Sequence, residues 1–120
     1  APCALGAVLN DRTIPRLKAR IVCGGANNQL AEPRHARELA GRGVLYVPDY
    51  LANAGGVIDF HQERVDDSRG AVLAAVGRIE GVTAEILEAA RATGRTPQEI
   101  ADERVRRRLE RAGGPARPPA

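Results

Sequence analysis

The chain has 120 residues, 18 basic and 15 acidic side chains, and a formal net charge of +3. Hydrophobic residues make up 43% of it, although aromatic residues make up only 2%. No apolar run approaches the roughly 20 residues needed to span a bilayer, and no basic-then-apolar signal segment opens the chain. We therefore expect a small cytoplasmic domain with no membrane partner.

Two residue counts indicate the origin of the chain. It contains no methionine, and it has seventeen arginines but only one lysine, Lys18. Because a complete reading frame normally begins with methionine, we expect a piece of a longer protein or a partial gene. Cys3 and Cys23 lie among small and apolar residues without zinc-ligand spacing, which predicts reduced, buried thiols and no metal site.

The first fifty residues predict a strand–helix–strand unit. Residues 19–23 and 44–47 are short apolar runs bounded by Gly or Pro, which is typical of buried strands. Residues 32–42 between them are helical in composition, with Pro33 near the first turn. A unit of this kind makes a parallel crossover, and Pro2-Cys3-Ala4 fits the exit of an earlier strand.

Residues 51–112 are predicted to be helical throughout. Thr96 is predicted to be the N-cap of the last helix, with Pro97 in its first position and Glu99 completing a capping box. The apolar stripe of the preceding helix comprises Val72, Val76, Ile79, Thr83, Ile86 and Ala90. The inner face of the last helix comprises Ile100, Ala101, Val105, Leu109 and Ala112. These faces hold more apolar surface than the small sheet can cover.

Amide side chains follow two of the predicted strands. Gly24-Gly25-Ala26-Asn27-Asn28-Gln29 comes directly after one strand, and residues 48–57 follow the next. The carboxyl ends of strands form the ligand crevice of an open α/β sheet. Amides there can bind an amide or a carboxylate, and small residues let a flat ring approach. The alternative, that residues 24–29 only cap and turn, stays open.

Glycine clusters elsewhere do not predict a phosphate site. Asn53 with Gly55-Gly56, at the predicted start of a helix, suits a small ligand near a helix N-terminus. Gly41 and Gly43 come after a helix and before a strand, which predicts a helix C-cap and turn. None of the clusters has the G-x-G-x-x-G form, and there is no P-loop lysine.

Several motifs in one order carry a family resemblance. Residues 1–6, 26–30, 48–50 and 53–58 (APCALG, ANNQL, PDY and NAGGVI) resemble the NAD-binding domain of the Glu/Leu/Phe/Val dehydrogenases. This family oxidatively deaminates L-amino acids to 2-oxo acids. The similarity is densest over residues 1–63. It implies NAD as cofactor, an L-amino acid or 2-oxo acid as substrate, and a homo-oligomer for the whole protein.

The resemblance also implies roles for individual residues. The cofactor would lie against Pro2, Cys3, Ala4, Ala26 and Asn27, with the first three beside the nicotinamide ribose and Asn27 at the carboxamide. The amino-acid pocket would be lined by Asn27, Asn53, Gly56, Val57 and Phe60. Val57 and Phe60 lie three apart on one helical face. Glutamate-specific members usually carry serine where Phe60 stands, so the apolar ring favours branched-chain or aromatic substrates. Its size favours valine or leucine over phenylalanine.

The resemblance places other parts of the site before Ala1. These are the Gly-rich phosphate loop, the acidic residue that binds the adenine ribose, and an N-terminal substrate domain with two catalytic lysines. Lys18 is predicted to be a solvated loop residue. No residue here is therefore assigned a catalytic role, and we expect the chain alone to be inactive. A non-catalytic binding or assembly module of a split enzyme is the alternative.

The fold class that follows is α/β. We predict a partial Rossmann-type parallel sheet of about three short strands followed by C-terminal helices, in a three-layer αβα arrangement. Residues 1–63 would be the C-terminal half of the NAD-binding domain, and residues 64–112 its closing helices. Residues 113–120 would be a disordered tail.

The remaining titratable residues are given structural interpretations. His35 is predicted to lie on a solvated helix face, and His61 at or near the surface. Asp49 either caps the following helix or orients a pocket group. Asp66-Asp67 is predicted to cap a helix.

The basic last helix supports the rival function, nucleic-acid binding. Its arginines, concentrated in residues 104–111, could bind phosphates. However, Asp102–Arg106 and Glu103–Arg107 are acid-first i,i+4 pairs, which are typical of an exposed helix. No aromatic residues are interleaved to stack on bases. The sequence therefore favours a solvated outer face and no nucleic-acid partner.

Overall fold

The protein is an α/β chain in which a small parallel sheet precedes most of the helices. The computed structural model describes residues 1–65 and 69–113. The elements are a 3-10 helix over Ile14–Arg16, β1 over Ile21–Val22, α1 over Arg34–Gly41, β2 over Leu45–Tyr46, α2 over Asp49–Ala52, α3 over Gly55–Val65, α4 over Arg69–Thr93 and α5 over Pro97–Arg111. The predicted α/β class is confirmed, but among the described residues the elements cover one face of the sheet only and do not form the predicted three layers.

β1 and β2 pair in parallel, with Ile21 opposite Leu45 and Val22 opposite Tyr46. One further parallel bridge joins residues 9 and 30. Within the described residues the sheet is therefore two strands and a bridge, rather than three full strands. A connection through α1 carries the chain from one strand to the next, as a parallel pair requires.

The two strands are covered on one face only. Val22 and Tyr46 are 4% and 3% exposed, whereas Ile21 and Leu45 are 62% and 37% exposed. Successive side chains of a strand point to opposite faces, and the described elements cover just one of them. The prediction of fully buried strands was therefore wrong for this chain.

The core lies between the sheet, α1 and the segment that precedes β1. Ala36 and Leu39 are the buried apolar residues of α1. Burying one aliphatic side chain stabilises a fold by about 1.5–3 kcal/mol, so this cluster holds the strand–helix–strand unit together. Its buried members are Leu9, Ile14, Val22, Ala36, Leu39, Val44 and Tyr46.

A Schellman motif ends α1. The N–H of Gly43 donates to the carbonyl of Ala40, and the N–H of Val44 donates to the carbonyl of Leu39, both at 2.9 Å. Gly43 has a φ of +72°, a left-handed conformation that glycine adopts without steric cost. The predicted C-cap and turn are confirmed, and the motif leads directly into β2.

α4 packs against α2, α3 and α5. The six residues of its predicted apolar stripe are all buried or half-buried. α5 begins with the predicted capping box. The Thr96 hydroxyl accepts the Glu99 N–H at 3.2 Å, and the Glu99 carboxylate accepts the Thr96 N–H at 3.0 Å.

The predicted inner face of α5 is correct for its first half only. Ala101 is buried, but Val105 and Leu109 are each 51% exposed. Side chains in the first half of α5 bond to α1 and α2. In the second half, the described ion pair to another helix joins Arg104 to Glu85 on α4. The expectation that the whole face is buried was therefore wrong.

Two predictions of burial are corrected. Cys3 and Cys23 are free thiols as expected, but both are exposed. Cys23 is exposed because it comes two residues after Ile21 and therefore lies on the same uncovered face of the sheet. His35 was predicted to be solvated and is only 1% exposed. The segment before β1 folds over the start of α1 and covers the ring.

None of the described helices is both long and apolar enough to cross a bilayer. The predicted cap at Asp66-Asp67 and residues 114–120 of the predicted tail lie outside the described residues. The division at residue 63 stays a prediction.

Candidate functional site

The loops that follow β1 and β2 meet at one edge of the sheet. The side-chain amide of Asn53 donates to Oδ1 of Asn27 at 2.6 Å and lies 3.4 Å from the carbonyl oxygen of Gly25. Parallel strands end at the same edge, so residues that follow them come together. We call Asn27 and Asn53 the amide pair.

The amide pair keeps one donor group and one acceptor unused. Its internal hydrogen bond involves Nδ2 of Asn53 and Oδ1 of Asn27. Each asparagine amide has two N–H donors and one acceptor oxygen. Among the described residues, Nδ2 of Asn27 and Oδ1 of Asn53 have no hydrogen-bond partner. The pair therefore presents an N–H and a C=O, the complement of a carboxamide.

Two buried side chains fix the loop that carries Asn27. Gln29 is 0% exposed, and its Nε2 donates to the carbonyls of Gly24 at 2.7 Å and Ala26 at 2.9 Å. The backbone N–H of Gln29 donates to Oδ2 of Asp49 at 2.9 Å. We call Gln29 and Asp49 the loop clamp.

Asp49 joins the two loops. Its Oδ1 accepts the N–H of Tyr50 at 2.6 Å, while its Oδ2 holds Gln29. Pro48 is the N-cap of α2 and makes no side-chain cap bond. The bond to Tyr50 satisfies an N–H in the first turn of α2, as the predicted capping role requires, and the predicted role of orienting a pocket group stays a prediction.

Residues 1–9 run alongside the loop after β1. The carbonyl of Pro2 accepts the N–H of Ala26 at 3.0 Å, and the N–H of Ala7 donates to the carbonyl of Asn28 at 2.7 Å. Ala7 and Asn28 both have left-handed backbones, with φ of 55° and 52°. Asn tolerates this conformation, whereas for Ala it costs roughly 1–2 kcal/mol.

Gly24 allows a close backbone approach, whereas Gly25 and Gly56 face open space. A Cβ at Gly24 would lie 2.2 Å from the carbonyl oxygen of Pro2, so only glycine lets residues 1–6 lie there. A Cβ at Gly25 or Gly56 would meet nothing within 4 Å. These two positions leave open space beside the amide pair and at the start of α3.

The other predicted site residues belong to the N-terminal segment and to α3. Cys3 and Ala4 line, with Pro2, a cavity of about 340 Å³ that extends to the uncovered face of β1. Val57 and Phe60 lie on α3 and are 75% and 62% exposed.

α5 reaches the start of α2 through a hydrogen bond that the sequence did not predict. The Tyr50 hydroxyl donates to Oδ1 of Asp102 at 2.7 Å. Burial and the Asp102 carboxylate raise the pKa of the Tyr50 hydroxyl. The predicted Asp102–Arg106 ion pair is replaced, because Arg106 donates to the Asp102 backbone carbonyl instead.

The predicted Glu103–Arg107 pair is present. Glu103 also pairs with Arg95, and Glu85 on α4 pairs with Arg104. Acidic side chains therefore neutralise part of the basic surface of α5, which supports the prediction of a solvated outer face.

Asp11, His35 and Glu38 bring potential metal ligands within 4.8 Å of one another. The Glu32 N–H donates to Nδ1 of His35 at 3.0 Å, so the neutral ring carries its proton on Nε2, which faces Asp11 at 3.3 Å. That nitrogen has no lone pair left for a metal. Arg34, 2.7 Å from Asp11, makes the cluster an ion-pair network.

Comparisons with known proteins match this architecture to one family. The family model described as Glutamate/Leucine/Phenylalanine/Valine dehydrogenase matches residues 1–94. The chain is 45% identical to a valine dehydrogenase of Streptomyces albus over 93% of its own length and 31% of that protein. It is 43% identical to a leucine dehydrogenase of Thermoactinomyces intermedius over 92% of its length and 30% of that protein.

A solved structure agrees with these matches. The crystal structure of L-tryptophan dehydrogenase from Nostoc punctiforme aligns with a TM-score of 0.87 at 39% sequence identity. The alignment covers 92% of this chain and 33% of that one. The chain thus spans about a third of the length of the proteins it resembles.

Proposed function

Because the chain belongs to the Glutamate/Leucine/Phenylalanine/Valine dehydrogenase family, we propose that it forms part of the site of an NAD-dependent amino-acid dehydrogenase. The reaction is oxidative deamination of a branched-chain L-amino acid, such as leucine or valine, to the 2-oxo acid and ammonia. The observation that carries the proposal is the amide pair, which lies where two parallel strands end.

The donors and acceptors of the site fit a nicotinamide. Nδ2 of Asn27 and Oδ1 of Asn53 complement a carboxamide, and the open space at Gly25 admits a flat ring. In this proposal Pro2, Cys3, Ala4 and Ala26 hold the rest of the cofactor with Asn27. Bound NAD supplies the hydride acceptor, and this chain orients the reacting partners.

The substrate side chain would lie against α3. Val57 and Phe60 present apolar surface there, and in this proposal Asn53 and Gly56 line the same pocket, with Asn27 helping to place the substrate. An aromatic ring in place of a polar group excludes a charged substrate side chain, since burying an unpaired carboxylate is costly. The valine and leucine dehydrogenases among the relatives support this choice.

Proton transfer is assigned to a part of the whole protein outside this chain. Lys18 is exposed, and a lysine base needs burial or cationic neighbours to lower its pKa. The proposal therefore includes a separate substrate domain that supplies the catalytic lysines. A homo-oligomer and a cytoplasmic location are part of the same proposal.

The proposal is tested by assaying the complete dehydrogenase that contains this chain. NADH formation is measured with leucine, valine, phenylalanine, tryptophan and glutamate. We expect leucine or valine to give the highest kcat/KM, and we expect Asn27→Ala to lower it about 10- to 100-fold, the loss expected when a buried polar group of the ligand is left without its partner. The matched control is Gln98→Ala, an amide on α5, which should leave it unchanged.

Preference for glutamate would overturn the substrate class. Preference for tryptophan or phenylalanine would move the specificity to aromatic side chains, as in the structural relative's name. No NADH formation with any amino acid would overturn the function.

A further inference from the structure

The amide pair joins two loops beyond the last strand pairing. The paired strands end at Val22 and Tyr46, and one more backbone bond runs from the Val47 N–H to the Val22 carbonyl at 2.9 Å. Past this point, the loop over residues 24–29 and helix α2 are connected by side chains. The loop clamp, Gln29 and Asp49, makes the most buried of these connections.

The Asp49 carboxylate, at the start of α2, holds the loop that carries Asn27 through one hydrogen bond and its own helix through another. It accepts the N–H of Gln29, two residues after Asn27, and the N–H of Tyr50, three residues before Asn53. Asp49 is only 9% exposed, and hydrogen bonds are stronger in the protein interior than in water. Through the bond to Gln29, Asp49 ties the loop that carries Asn27 to the start of α2, four residues before Asn53.

Gln29 holds the near side of the same loop. Its Nε2 donates to the carbonyls of Gly24 and Ala26, which precede Asn27. Its Oε1 is buried without a hydrogen-bond partner among the described residues. The side chain therefore acts through its two donated bonds, which fold the loop back on itself and direct residue 27 outward, where it is exposed.

We propose that Asp49 and Gln29 are positioning residues that hold Asn27 and Asn53 together before any ligand binds. Neither residue is assigned contact with substrate or cofactor. The effect on catalysis rests on the proposed function, but the effect on the amide pair does not. A preformed pair loses less side-chain freedom when a ligand binds.

The structural part is tested by NMR on the 120-residue chain. The Asn53 side-chain amide, bonded to Asn27, is followed by its chemical shift and hydrogen exchange. Asp49→Asn keeps the side-chain volume but turns an N–H donor toward one of the two backbone N–H groups. We expect the Asn53 amide in this variant to exchange as fast as in Asn27→Ala, which removes the acceptor. Glu88→Gln, the same change on an exposed face of α4, should retain the wild-type signal.

Gln29→Met is the second variant, because Asp49→Asn can fail to fold. Methionine has a similar length and removes the unpaired Oε1 together with the two donated bonds. Rapid exchange of the Asn53 amide in folded Gln29→Met supports the proposal. Wild-type exchange in a folded variant, either Gln29→Met or Asp49→Asn, overturns it, even if the melting temperature falls.

The catalytic part is tested on the complete dehydrogenase. Asp49→Asn should lower kcat/KM for the amino acid about 10- to 100-fold, the loss expected when a reacting geometry is displaced. If the role of Asp49 were purely structural, the variant would melt at a lower temperature but would keep the wild-type kcat/KM at temperatures below its melting temperature. That result would overturn the catalytic part of the proposal. If the wild-type protein forms no NADH, the proposed function fails, while the exchange result still decides the role of the clamp.

Discussion

At the scale of single residues, Asp11 links the segment before β1 to α1 through charge. The hydrogen bond from Arg34, followed by that from His35, lowers the pKa of Asp11 from 3.8 to about 2. A lowered pKa means that the folded state favours the ionised form. This contribution to stability is therefore complete above pH 3.8 and is lost as the pH falls through about 2.

Asp11→Asn should therefore lower the free energy of unfolding at neutral pH and flatten its dependence on pH between 3.8 and about 2. Urea unfolding at a series of pH values measures both effects. Glu88→Gln should leave the slope in that window as it is in the wild type. If the free energy of unfolding of Asp11→Asn depended on pH as steeply as that of the wild type, the pH dependence could not be assigned to Asp11.

The proposed function predicts that Phe60 determines substrate specificity in the complete dehydrogenase. Phe60→Ser replaces an apolar ring with a hydroxyl, and we expect kcat/KM for leucine to fall about tenfold or more relative to glutamate, which is in the range that apolar pocket contacts supply. Unfolding of the chain should change little, since the ring is 62% exposed.

Leu73→Ser is the matched control for Phe60→Ser, because Leu73 is 63% exposed on the neighbouring helix α4. It should leave the ratio of the two kcat/KM values unchanged. If both variants lowered the ratio equally, the change in specificity would come from losing any exposed apolar side chain, and the role of Phe60 in the pocket would be contradicted.

At this scale, the sequence alone predicted that Asn27 and Asn53 lie at the same edge of the sheet. Asn27 and Asn53 follow two parallel strands, and that topology brings them to one edge. The bond between Gln29 and Asp49 was missed, because its partners are 20 residues apart and their contact depends on how far each chain runs past its strand. No spacing rule encodes that length.

At the scale of elements, the turn between α1 and β2 depends on the backbone of one glycine. Gly43→Ala places a side chain at a φ of +72° and should destabilise the chain by about 1–2 kcal/mol. Gly41→Ala, at the end of α1 with open space around it, should stabilise the chain by about 0.5–1 kcal/mol, since alanine favours the helix. Urea unfolding gives both values, and the same sign for both would contradict the conformational argument.

Local signals explain which elements were predicted correctly. The Schellman turn and the capping box of α5 are encoded within a few neighbouring residues, and both were found. The strands were predicted as 19–23 and 44–47, but only Ile21–Val22 and Leu45–Tyr46 pair. Strand length depends on neighbours across the sheet, which the local sequence does not contain.

At the scale of the whole molecule, Gly24 is the point where residues 1–6 lie against the site. Gly24→Ala should displace this segment, because its Cβ would overlap the backbone of Pro2. The Ala26 N–H, which donates to the Pro2 carbonyl, should then exchange faster in hydrogen-exchange NMR. Gly25→Ala, with nothing within 4 Å, should leave that amide protected, and equal exchange in the two variants would contradict the proposed overlap.

The sequence separation of its contacts gives the molecule an order of folding. Contacts that build the site span 20 and 26 residues, whereas those that tie α5 to α1 and α2 span 62 and 52. Short loops close at lower entropic cost. We therefore expect a higher folding φ-value for Leu39→Ala in α1 than for Ala101→Gly in α5, measured by stopped-flow kinetics. On a ribosome, the amide pair would then form while α5 is still being synthesised.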